Sequence, residues 1–155
     1  MSHLANYTTE VSAMKSVGEI QGMLIAHKAK EILIEYDGDG EPISLSFIIK
    51  TSKGELPFIL PANISRVEAV LIKQRKYMPE KWYANYEPTM QRIHEQAVRV
   101  GWRILRDWVR AQMAILETEM VRLEQIFLPY LVTPSGKSLF EAMDDKGFYL
   151  SEGQG

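Results

Sequence analysis

Five arginines recur between positions 92 and 110: Arg92, Arg99, Arg103, Arg106 and Arg110. A guanidinium is a planar fork of N–H donors that can grip two oxygens of one phosphate or carboxylate, which a lysine ammonium cannot do. If the segment is helical, with about 100° per residue, the five fall within a stripe about 60° wide and about 27 Å long. Gaps of 4, 3 and 4 residues from Arg99 onward set neighbouring arginines about 5–6 Å apart, close to the pitch of phosphates along an extended single strand. Such a row would track a nucleic-acid backbone with little regard for sequence.

The rest of that helix is apolar. Ile93, Val98, Val100, Trp102, Ile104, Leu105, Trp108, Val109, Ile115 and Leu116 occupy most of the remaining circumference, so the helix must be buried on most sides with arginine along its seam. The competing interpretation is internal pairing. Glu95 precedes Arg99 by four residues, Asp107 follows Arg103 by four, and the acidic C-terminal third or the acids of another subunit could lie against the stripe.

A second constellation lies in "KQRKYMPEKWYANY". Lys73, Arg75, Lys76 and Lys81 interleave with Tyr77, Trp82, Tyr83 and Tyr86. Trp82 and Tyr83 beside these cations suit base stacking combined with phosphate neutralisation; they equally suit a proline-containing connector packing onto a sheet.

Three other motifs fail on inspection. "PSGKS" ends like a phosphate loop, but the first glycine of that pattern would fall on Leu131. "DGDG" at Asp37 to Gly40 lacks the register and distal glutamate of a calcium loop and is a hairpin turn. His3, His27 and His94 stand in no metal-ligand spacing. No nucleophile elbow, zinc-helix motif or carboxylate pair is present, so neither an enzyme nor a cofactor is expected.

The bulk composition narrows the class. At 155 residues, 46% hydrophobic and 25% charged, the chain matches one globular domain able to bury a core, with 1–15 and 150–155 expected to be flexible. It contains no cysteine, which excludes disulfides, thiolate catalysis and cysteine-based metal sites. The net charge of −2 argues against a general polyanion binder. However, residues 73–110 hold 9 basic and 4 acidic side chains, between flanks that are net acidic, which points to a localised basic surface. No apolar run is long enough to span a membrane, and "MSHLANYTTEVSAMKSVGE" lacks the basic start and apolar core of a signal peptide; a cytoplasmic location follows, in a host if the protein is viral.

The elements that must position the arginines follow from periodicity. Ser16 and Glu19 suggest a capping box for a helix over about 17–28. Alternation then places Ile32, Ile34 and Tyr36, Ile43, Leu45, Phe47 and Ile49, and Leu56, Phe58 and Leu60 on one face of three strands joined by "DGDG" and "SKGE". Asn63 is the expected N-cap of a helix carrying Val67, Val70 and Leu71. A long helix is expected over about 89–127, stopped by Pro129. Ser138 and Glu141 make a capping box for a short last helix. The fold class is therefore α+β: a three-stranded antiparallel meander preceded by a short helix and packed against long C-terminal helices, α-βββ-α-α.

The stretches "LIEYDGDGEPISLSFIIKTSKGELPFILPAN" and "AVRVGWRILRDWVRAQMAILETEMVRLEQIFLPYL" resemble small proteins carried by bacteriophages and integrated elements of Firmicutes. That resemblance transfers no catalytic residues. It implies a setting in viral DNA handling or interference with host defence. The βββα order also resembles the core of single-strand annealing proteins, a fold-level analogy without a shared motif.

Together these point to a non-enzymatic nucleic-acid-binding protein, handling single-stranded DNA in a phage or mobile element and working as a homo-oligomer. Arg92, Arg99, Arg103, Arg106 and Arg110, with Lys73, Arg75, Lys76 and Lys81, would hold phosphates, and Trp82 and Tyr83 would stack on bases. Two alternatives use the same arginines: an anti-defence protein sequestering a cyclic or other nucleotide signal, and a structural or partner-binding module.

Overall fold

Period-two alternation builds the sheet. The structure, a computed structural model, describes residues 3–75 and 90–149. Strands β1 (Ala29–Tyr36), β2 (Pro42–Thr51) and β3 (Gly54–Ile59) form an antiparallel sheet in the order β1-β2-β3. Ile32 lies opposite Phe47 and Phe47 opposite Phe58, so one face is a continuous apolar surface. Leu45, Phe47, Ile49 and Phe58 are buried on it.

The expected apolar face ends early. Tyr36 and Ile43 are exposed because the ladder shifts register between Glu35 and Tyr36, pairing Glu35 with Ser44 but Tyr36 with Pro42. Ile43 is the extra residue of this bulge, and Pro42 turns inward in its place. At the adjoining turn the Asp37 carboxylate accepts hydrogen bonds from the Asp39 and Glu41 amides at 2.8 and 3.0 Å, and Gly40 adopts φ 81°.

Helices cover the apolar face. Helix α1 (Ala13–Ala26) contributes Ala13, Val17, Ile20 and Leu24, a stripe at helical spacing. It starts earlier than the sequence suggests: Ser12 is the N-cap, its hydroxyl accepting from the Lys15 amide. Ser16 instead lies buried inside the helix. Helix α2 (Ile64–Arg75) begins directly after Asn63, whose Oδ1 accepts from the Ser65 hydroxyl.

Helix α3 (Met90–Glu117) runs through the middle of the helical layer. Val98, Trp102, Leu105, Val109 and Met113 share one core cluster with α1 and the sheet, and the buried Trp102 Nε1 donates to the Pro42 carbonyl at 2.9 Å. The helix does not continue to Phe127. The Thr118 hydroxyl donates to the Ile115 carbonyl at 2.6 Å and Glu119 takes a left-handed conformation, φ 60°. This break redirects the chain so that helix α4 (Leu123–Phe127) can bury Phe127 between Phe47, Phe58 and Trp108. The chain then extends the sheet edge, the Val132 amide donating to the Pro57 carbonyl at 2.8 Å, and helix α5 (Leu139–Asp145) starts on the Ser138 and Glu141 capping box.

Helix α2 packs on the opposite flank of α3, where Leu71, Ile93 and Ala97 form a second cluster. Gly101 permits the close approach: a Cβ there would lie 2.7 Å from Ile64 Cδ1 and 3.4 Å from Val67 Cγ2. Further along, His94 on α3 meets the Glu68 carboxylate on α2. The Glu68 hydrogen bond holds the imidazole above its ordinary pKa, against a smaller opposing effect of desolvation, with the charges of Asp37 and Asp39 adding to the rise. Among the described residues no helix is long and apolar enough to cross a membrane.

Two outcomes follow. Gly101→Val should destabilise the fold by about 1–3 kcal/mol in urea titrations, since the added methyls force α2 away from α3. His94 with a raised folded pKa contributes stability that is complete below its unfolded value near 6.5 and is lost as pH rises through the raised value. The stability difference between wild type and His94→Gln should therefore be greatest near pH 6 and shrink toward pH 9, and it should stay below about 1 kcal/mol because the pair is partly solvated.

Candidate functional site

The arginine stripe lies where α3 meets α1 and the residues that lead into α1. Gln96 Nε2 donates to the Tyr7 and Thr9 carbonyls, both at 3.0 Å. Asn6 Nδ2 donates to Asp107 Oδ2 at 2.9 Å. The chain before α1 thus runs beside the stripe from Gln96 to Asp107, with α1 along its other border.

The five arginines meet different fates. Arg103 Nη1 donates to Glu19 Oε2 at 2.8 Å and to the Ser16 hydroxyl at 3.4 Å. Arg106 Nε donates to the same Glu19 oxygen at 2.7 Å, and its Nη1 to Asp107 Oδ1 at 3.0 Å. Both guanidinium side chains are only 18% exposed. Arg99 is bound by a neutral group: Nε and Nη2 donate to Gln96 Oε1 at 3.0 and 2.6 Å. Arg92 is exposed near the start of α3. Arg110 is exposed and makes no hydrogen bond or ion pair with any described residue.

Charge pairing sets the protonation of this joint. Burial would raise the Glu19 carboxyl pKa, but hydrogen bonds from Arg106 and Arg103 outweigh it and hold the group below its ordinary value. Asp107 behaves alike: desolvation is overcome by the Asn6 and Arg106 hydrogen bonds. Glu19 and Arg106 are both ionised at neutral pH.

Beside this joint, α1 and α3 flank a groove of about 600 Å³. Glu19, Gly22, Met23 and Ala26 line it from α1, His27 from the α1 C-cap, and Arg106, Arg110, Met113, Ala114 and Glu117 from α3. His27 Nδ1 lies 2.9 Å from the Met23 carbonyl, and its Nε2 4.0 Å from Glu117 Oε1.

The second constellation does not join the stripe. Lys73 is exposed on α2, which packs on Ile93, Ala97 and Gly101, roughly half a turn around α3 from the arginines. Helix α2 ends at Arg75; Lys76, Lys81, Trp82 and Tyr83 lie outside the described residues.

Sequence reasoning missed Glu19. Its spacing from Ser16 suggested a cap, whereas the structure uses both residues against Arg103. The internal acid comes from the N-terminal helix, not the acidic C-terminal third. The one available signal was position: Glu19 borders the Val17, Ile20 and Leu24 stripe, where a charged side chain reaches across a neighbouring helix. Gln96 was equally inconspicuous, being one polar residue among many.

Glu19→Gln removes one charge while preserving shape, leaving the partly buried Arg103 without its ion-pair carboxylate and Arg106 with Asp107 alone. It should cost about 1–2 kcal/mol at pH 7 by urea titration. The Glu19 contribution is present above the ordinary carboxylate pKa and lost as pH falls through the depressed folded value, so the difference between wild type and variant should close toward pH 3. Equal stability at pH 7 would show that the pair does not hold α1 to α3. In comparisons with known proteins, no family model, no curated protein and no solved structure matches the chain.

Proposed function

We propose that this protein is a non-enzymatic binder of single-stranded nucleic acid, contacting phosphates through Arg92, Arg99 and Arg110 on α3. The observation that carries this reading is the binding of Arg99 by the neutral Gln96 amide. An amide orients the guanidinium without cancelling its charge, so Arg99 stays attractive to a phosphate. Arg110 adds a second uncompensated charge about 16 Å further along the helix. Arg103 and Arg106 take the structural share of the row, since a phosphate would have to displace Glu19 to reach them. The resemblance to phage and mobile-element proteins supplies the proposed setting, the handling of viral DNA.

The division of labour makes the proposal quantitative. Single strands contribute a salt slope of about −0.7 per neutralised phosphate, so three contacts give about −2 where five would give about −3.5. Fluorescence anisotropy of a labelled 30-nucleotide strand, titrated with the full chain at low and physiological salt, should show saturable binding with the shallower slope. Arg99→Ala together with Arg110→Ala should reduce the slope by about 1.4. No binding at low salt would sink the proposal.

A further inference from the structure

We infer that the groove between the C-terminal halves of α1 and α3 is a binding site for a compact amphipathic anion, one carboxylate, sulfonate or phosphate monoester on a short apolar body. The groove holds about 600 Å³, inside the roughly 300–1,000 Å³ range of small-molecule sites. It has the two parts such a ligand needs. Met23, partly exposed on α1, offers an unbranched thioether that adjusts to an apolar body, with Ala26 and Ala114 exposed beside it. Arg110 offers a full set of guanidinium donors not spent on any described residue.

Small residues border this space on both helices. Glycine inside a helix lowers helix propensity, yet Gly22 sits mid-helix, and a Cβ there would meet nothing within 4 Å. A larger side chain at this position would therefore project into open groove space. Ala26 and Ala114 are the small residues that continue it.

Charge restricts the ligand to a single anionic group. Glu19 and Glu117 both line the groove, so a polyanion laid along it would meet carboxylates as well as Arg110. Arg106 is already engaged through Nε by Glu19 and through Nη1 by Asp107, which makes Arg110 the recognition residue. His27 and Glu117, 4.0 Å apart, add a polar pair to the rim. The inference shares Arg110 with the proposed strand binding but rests besides on the groove, so the groove-filling variants, which should leave strand affinity unchanged, keep the two readings apart.

The test uses 8-anilinonaphthalene-1-sulfonate, a sulfonate on an apolar body, titrated into the full chain and followed by fluorescence. Saturable one-to-one binding is expected, with octanoate competing. Arg110→Gln should weaken it at least about tenfold, as loss of a charge-assisted contact does. Gly22→Leu, which fills the groove, should weaken it comparably, and Ala114→Leu from the facing helix serves if Gly22→Leu melts early. Absence of binding to wild type overturns the inference. So does an affinity unchanged by the groove-filling variant, since the anion would then sit on Arg110 outside the groove. A groove-filling variant that weakens the 30-nucleotide strand as much as the probe would overturn the restriction to compact anions.

Discussion

One glutamate organises this molecule. Glu19 Oε2 receives hydrogen bonds from both Arg103 and Arg106, and through them α1 is pinned to α3 at a fixed rotation and height. A hydrophobic contact is tolerant of sliding, whereas two guanidiniums converging on one oxygen are not, because each donor has a narrow range of useful angles. The position of α1 in turn decides which of its residues reach the sheet and which face solvent. Ser16 is buried, Ile20 and Leu24 enter the core, and Gly22 is left outward beside α3.

Helix α3 is the element around which everything else is placed. One flank shares the main core with α1 and the sheet, and Trp102 donates to the Pro42 carbonyl at the sheet bulge. A second flank receives α2, made possible by Gly101. The third bears the arginines and is bordered by α1 and the chain leading into it. An amphipathic helix with one apolar face would need only one of these partners. The apolar face of α3 is wide enough to need several, and the arginines lie on the polar face that remains.

That arrangement explains how one motif can serve two purposes. Arg103 and Arg106 sit against Glu19 of α1 and are neutralised there. Arg99 and Arg110 lie beyond that contact, one oriented by an amide and the other facing a groove. Charge of one type, at one spacing, is thus divided by the passage of a second helix into neutralised and uncompensated parts.

The sequence alone determined the elements whose signals are local. Period-two alternation located the three strands and their turns, and the Ser138 and Glu141 box located the last helix. The face shared by five arginines followed from helix geometry alone. Long-range placement was not legible. The end of α3 at Glu117 depends on a Thr118 hydroxyl and a left-handed Glu119 that no glycine or proline announced. The outward turn of Ile43 depends on a bulge set by strand pairing. Above all, the pairing of Glu19 with Arg103 and Arg106 joins residues more than eighty positions apart. Helical periodicity records which residues share a face, because that depends only on neighbours within a turn or two. Which charge another helix brings to that face depends on how the whole chain packs, and only the tertiary structure decides it.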